Sequence, residues 1–239
     1  MLTPDALKNT KMMVVVAHPD DELLGPGASL HKWIHDYGVK VHVVILGEGL
    51  TSRSDERDPE QWKQELRRHR KNIEDAQAEI GYHSLSIYDF PDNRFDTVAL
   101  LDLIKTVEKE KKSHHPDVIL THHGGDLNVD HRRTFEAVMT ACRPMKDEPV
   151  HTILAFETPS GTEWRASTDP KHFIPNWYMK VSKENVEAKI RAMEKYEFEK
   201  RPYPHPRSPE ALTYRARTHG TVVGADYAEA FCLVRSVQE

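Results

Sequence analysis

Through its first 140 residues the chain alternates short β-branched runs with longer segments of helical spacing, and that rhythm leaves few folds open. Met12-Met13-Val14-Val15-Val16-Ala17 is the kind of apolar run that forms a strand buried on both faces. Val41 to Leu46, Leu85 to Tyr88 and Asp117 to Thr121 predict three more strands. Helical spacing predicts helices over Leu23 to Tyr37, Glu60 to Ile80, Val98 to Lys111 and His131 to Cys142. Gly38 and Gly81 stop the first two, since glycine readily takes the left-handed conformation that closes a helix. Units of this kind predict an α/β fold: a Rossmann-like, mostly parallel sheet with helices on both faces.

Beyond about residue 150 the rhythm is less regular. The pattern predicts a strand over His151 to Phe156, a loop from Glu157 to Pro175 and a helix from Val186 to Phe198. Pro202, Pro204, Pro206 and Pro209 impose an extended or turning stretch. A helix near Leu212 to Arg217 and a strand near Ala230 to Val234 follow. With no internal repeat and no low-complexity linker, residues 1–239 read as a single domain.

Composition narrows the function classes. A net charge of −5 offers no general attraction to nucleic acid or to an anionic membrane. No apolar run approaches the roughly 18 residues that span a bilayer, so stable membrane insertion is not expected. Met1 to Lys11 is polar and does not read as a signal peptide. The two cysteines, Cys142 and Cys232, read as buried thiols rather than a disulfide, which fits a cytoplasmic protein.

In open parallel sheets ligands sit beyond the carboxyl ends of the strands, and three polar clusters fall there: His18 to Glu22, Gly47 to Asp58 and His122 to His131. In the first, a histidine and three acids follow a buried strand directly. A divalent cation would offset their repulsion, because imidazole and carboxylate are both good zinc ligands. Helix capping by Asp20 or Asp21 is the plainer alternative, but it does not account for the set. The run Thr121 to Arg132 has the residues to complete a site from across the sheet end.

Together the two segments resemble the LmbE/PIG-L family of zinc-dependent N-deacetylases. Ala17-His18-Pro19-Asp20-Asp21-Glu22 matches the family's first signature completely, and the segment ending in Asp130-His131 matches its second. The resemblance implies zinc (or another divalent transition metal) on His18, Asp21 and His131, with positions left for water and a substrate carbonyl. It implies Asp20 as the general base that deprotonates the attacking water and then passes the proton to the departing amine. It further implies a small-molecule N-acetylated sugar or glycoconjugate as substrate, and it is compatible with a homo-oligomer. Glu22 is expected to support the site or start the helix.

One position departs from the family. Where many members carry a histidine held by the following aspartate, this chain has Asn128, with Asp130 kept. An asparagine amide can donate to an oxyanion but cannot act as an acid near neutral pH. Either Asn128 keeps the electrostatic half of the role, or His122 or His123 supplies the proton. Arg53, Asp92, His123, Asp126 and Trp164 are expected to contact substrate, with Asp126 alternatively supporting the metal ligands from behind. Two other readings stay open from sequence: an amidase for a larger acyl group or thiol conjugate, and an inactive, metal-bound sugar-binding scaffold. His114-His115 reads as a solvated helix end, His69 as part of a charged helix face, and His205 receives no role.

Overall fold

The computed structural model describes residues 7–237 except residue 9. Most of Met1 to Lys11 therefore lies outside the described residues. Seven strands form one sheet: β1 (Lys11–Val16), β2 (Lys40–Gly47), β3 (Ser84–Phe90), β4 (Val118–His122), β5 (Thr152–Phe156), β6 (Trp177–Val181) and β7 (Tyr227–Ser236). Their order is β3-β2-β1-β4-β5-β7-β6. The first five are parallel, and β7 runs antiparallel to both β5 and β6. The helices are α1 (Asp21–Leu24), α2 (Gly27–Tyr37), α3 (Lys63–Ile80), α4 (Leu100–His114), α5 (Val129–Ala141), α6 (Lys183–Met193) and α7 (Pro209–Val222).

Residue alternation along the strands builds two cores. Met12, Val14 and Val16 face one side and join Leu30 and Trp33 of α2, Ile73 and Ile80 of α3, and Met193 of α6. Met13 and Val15 face the other side and meet Leu103 and Val107 of α4 and Ala137 and Val138 of α5. Each fully buried side chain of this size contributes about 1.5–3 kcal/mol, so β1, apolar on both faces, anchors both layers.

This topology sets the place of the site. After β1 the chain turns toward β2 and β3, whereas β4 and β5 build out on the opposite side of β1. The crevice between the ends of β1 and β4 is the switch point at which such sheets bind ligands. Gly25 lets the chain pass there, because a Cβ at that position would sit 2.2 Å from the Phe156 ring.

Several details differ from the sequence expectation. The predicted helix over Leu23 to Tyr37 is interrupted at Gly25-Pro26. β6 was not anticipated: it is an edge strand with mostly half-buried side chains, which gives little alternation to read. Pro209 begins α7 rather than extending the preceding stretch, because at the first helical position its missing N–H costs nothing, and Ser208 caps the turn by accepting from Ala211 N. Both cysteines are free, but only Cys142 is fully buried; Cys232 is half-buried, with its thiol donating to Ile174 O. Among the described residues, no helix is long and apolar enough to cross a membrane.

Candidate metal centre and active-site cavity

The turn after β1 carries His18 to Glu22 into α1. Asp20 there adopts φ 102°, a left-handed conformation that costs a non-glycine residue on the order of 1–3 kcal/mol. Its side chain makes no capping bond, so capping does not explain the segment. Instead Asp20 Oδ2 accepts from Arg207 Nη1 at 2.8 Å. Burial raises the Asp20 carboxyl well above its ordinary range, against the opposing pull of Arg207.

His18, Asp21 and His131 bring three ligand atoms within 4.8 Å of one another. His18 Nδ1 lies 3.3 Å from Asp21 Oδ2, and His131 Nε2 lies 3.4 Å from the same oxygen. Asp21 Oδ1 and His131 Nε2 are buried yet have no hydrogen-bond partner. Buried polar atoms left so are rare and costly, and a cation among them satisfies both. Burial pushes the His131 imidazole down, but Asp21 and Asp126 prevail and raise it to about 9. Burial likewise raises Asp21, yet His131 and His122 outweigh it and leave the carboxyl well below the usual range. The cluster is thus arranged around positive charge, and the donor set of two imidazoles and one carboxylate fits a divalent transition metal.

Supporting groups hold these donors. Asp130 Oδ2 pairs with His18 Nε2 at 2.9 Å, while its Oδ1 accepts from Phe95 N. With no imidazole at position 128 to hold, Asp130 orients His18 and leaves Nδ1 toward Asp21. Asp126 takes the supporting one of its two expected roles. It is fully buried, accepts from Thr162 Oγ1 and Asn128 N, and places Oδ1 3.1 Å from His131 Nδ1, so it supports the metal floor and does not line the cavity. Glu22 accepts from Asp20 N and from Tyr196 Oη, bracing the strained turn; burial raises its carboxyl to about 7.

Above the floor opens a cavity of about 290 Å³, lined by His18, Asp20, Asp92, Asn128, Trp164 and Arg207 among others. Gly49 closes one side at φ +85°, where a Cβ would stand 2.6 Å from Pro19 Cδ. Arg53 lines the cavity as expected but is already engaged: its guanidinium donates to Glu199 and to Phe198 O. Glu199 also accepts from Arg207, so Arg53, Glu199, Arg207 and Asp20 form one continuous charged chain along the wall. Asp92 accepts from Ser52 Oγ at 2.6 Å and lies 3.4 Å from His18 Nε2. Trp164 is 54% exposed, leaving its ring free for a ligand.

The two histidines proposed as alternative proton donors do not reach the cavity. His122 is fully buried, its Nε2 accepting from Ala17 N and its Nδ1 meeting Thr158 Oγ1, and burial lowers it to about 4. His123 is bound through Nε2 to Lys171 O and is not among the lining residues, so it is also removed from the substrate-contacting set. Asn128 does line the cavity, but its Oδ1 caps α5 through Asp130 N and its amide donates to Asn93 Oδ1. The residues that sequence reasoning passed over are Glu199, Arg201, His205 and Arg207. The one sequence signal belongs to His205 and Arg207, which stand between prolines whose restricted backbone fixes what it carries; Glu199 and Arg201 precede that run. His69 is a further correction: it is 1% exposed on α3, not solvated.

The profile of the GlcNAc-PI de-N-acetylase family, PIG-L, matches residues 13–142, more than half of the chain. The chain belongs to that family. It is therefore a deacetylase-family enzyme, a hydrolase of amide bonds. An uncharacterized deacetylase of Escherichia coli K12, YaiS, is 29% identical over 82% of this chain and 95% of its own length. N,N'-diacetylchitobiose deacetylase from Pyrococcus horikoshii superposes with a TM-score of 0.73 at 17% identity, covering 95% of this chain and 84% of that one. The 4-carboxy-2-hydroxymuconate hydratase GalB from Pseudomonas putida KT2440 does so with a TM-score of 0.70 at 20% identity, covering 96% and 98%. At such identities the structural likeness speaks for the fold alone, and the fold hosts more than one reaction.

Proposed function

We propose that the protein hydrolyses the acetamide of an N-acetylated amino sugar, releasing acetate and a free amine, at a divalent metal held by His18, Asp21 and His131. The observation that carries this reading is the pair of unpartnered ligand atoms, Asp21 Oδ1 and His131 Nε2, beneath a cavity whose wall presents Asp20. Zinc fits the donor set best. A metal there supplies Lewis acidity, for activating water and for polarising the amide carbonyl.

The chain's own residues supply the rest. Asp20, raised by burial, is poised to take a proton from water and return it to the leaving amine. Arg207 fixes the Asp20 carboxylate in place. The second amide hydrogen of Asn128 is available to a developing oxyanion, the first being donated to Asn93. Among the described residues, His205 is the one imidazole besides His18 that lines the cavity; its Nδ1 accepts from Arg207 N, which puts the proton of the neutral ring on Nε2 and makes it a donor toward ligand. The lining is rich in hydroxyl-binding groups (Ser52, Asn93, Asn128, Ser160) and has Trp164 for a sugar face. A volume near the lower end of ligand cavities, roughly 300 Å³, accommodates one sugar unit, with any remaining conjugate outside.

The test is acetate release from a panel of N-acetylated sugars, measured alongside bound metal. Activity with metal bound, lost in Asp20→Asn while the metal stays, supports the reading. Metal bound with full activity in Asp20→Asn removes Asp20 from the role of base.

A further inference from the structure

At the opposite end of the sheet a second group of ligating side chains converges. His42 stands near the start of β2, and Glu110 and His114 lie one helical turn apart near the end of α4. Glu110 Oε2 is 3.1 Å from His42 Nε2 and 3.5 Å from His114 Nε2. Metal–ligand bonds of about 2.0–2.1 Å at tetrahedral angles separate neighbouring donors by about 3.3–3.4 Å; His42 Nε2 and Glu110 Oε2 are close to that spacing and share a hydrogen bond, whose proton a metal would replace.

We infer that His42, Glu110 and His114 form a second divalent transition-metal site, independent of the catalytic centre. The outer groups that such a site needs are present. His42 Nδ1 is 2.8 Å from Ser84 Oγ, which fixes the ring and leaves Nε2 toward Glu110. Glu110 accepts from Tyr88 Oη through Oε1 and from Ser86 Oγ through Oε2. The His42 and His114 rings stack nearly parallel, with centroids 3.5 Å apart and 12° between their planes, so their in-plane lone pairs do not yet converge. His114 ends its helix and is one-third exposed, so its ring can swing out of the stack to turn Nε2 to a metal shared with Glu110. A cavity of about 220 Å³, lined by His42, His83 and His114 and by the exposed Lys11 and Lys40, gives access. Two imidazoles and one carboxylate select zinc, cobalt or nickel over magnesium or calcium. Bound metal would tie β2 to the end of α4, with no part in the hydrolytic step.

Cobalt(II) binding to the full-length protein tests this, read by metal content and by visible absorption. His18→Ala is the background, because His18 belongs to both sets of ligating atoms at the catalytic end, His18-Asp21-His131 and His18-Asp92-Asp130. The His18→Ala protein is expected to bind one equivalent more than His18→Ala/His114→Ala, and cobalt is expected to raise the melting temperature of the first only. His114→Gln serves in the same comparison should the alanine variant lose its circular dichroism signal. Ser84→Ala is expected to weaken this binding by roughly 10–100-fold. Equal cobalt content in the two backgrounds, with equal thermal response, overturns the site. That result leaves the catalytic reading untouched, since His114 has no place in it.

Discussion

The floor and the wall of the active-site cavity are built in different ways. The floor comes from two loops at the ends of adjacent parallel strands, and its candidate ligands are largely buried and supported by Asp130 and Asp126, which are themselves anchored by Phe95 N and by Thr162 and Asn128. The wall comes from segments far apart in sequence: Arg53 after β2, Ser160 and Trp164 after β5, and Glu199 to Arg207 before α7. Its charged groups satisfy one another in a chain that ends on Asp20. A metal centre needs fixed donors of defined type, whereas a sugar site needs many adjustable polar contacts. Substitutions of the floor's ligands should therefore act all-or-none, and those of their supporting carboxylates and of the wall by degrees.

The largest effect is expected at the floor. His131→Ala removes one of three ligands, and metal analysis should find the catalytic metal gone and acetate release with it. Retained activity would place the metal on other residues. Asp20→Asn, where floor meets wall, should keep the metal and lower kcat by roughly 10²–10⁴-fold, the ordinary worth of a positioned general base. Asp126→Asn and Asp130→Asn keep the ligands but loosen their support; a competition titration should show metal affinity lower by roughly 10–100-fold for each. If both bind as tightly as the parent, the buried carboxylates are only packing.

The pH response belongs to the floor as well. His131 has its folded-state value raised to about 9, so below that pH a metal must displace its proton. Burial pushes the His18 imidazole down, but Asp130 and Asp21 prevail and hold it above its ordinary range as well. Metal affinity should therefore climb by at least roughly tenfold per pH unit between about pH 7 and 9. A flat profile across that range would show that the proton is not competing. The smallest effect is expected on the wall. Arg53→Ala leaves Glu199 paired with Arg207, and steady-state kinetics should show KM raised severalfold with kcat little changed.

The same contrast explains what could be read from the sequence. Ala17 to Glu22 is contiguous, follows an apolar strand and carries its chemistry in residue types, so the floor was visible along with the parallel half of the sheet. His131 was legible only through the resemblance of the segment ending in Asp130-His131 to the family's second signature; the register of β4 beside β1 is what brings that loop to the same crevice. For Asp130 and Asp126 the sequence marked membership of the site but not which atom each carboxylate faces, because that depends on the first turn of α5 and on Phe95. Arg207 and Glu199 were not seen: no local pattern ties a proline-flanked arginine to an aspartate 187 residues earlier. β6 escaped because its side chains are half-buried on both faces, and the pairing that defines it is with β7, long after it in the chain.

The most direct test of the account is to strip the metal with a chelator and restore zinc, following acetate release from an N-acetylated amino sugar in the parent protein and in His131→Ala. The account predicts activity lost on stripping, restored by zinc in the parent and not restored in His131→Ala. Activity that survives stripping, or returns equally in the variant, would contradict a catalytic metal on His18, Asp21 and His131.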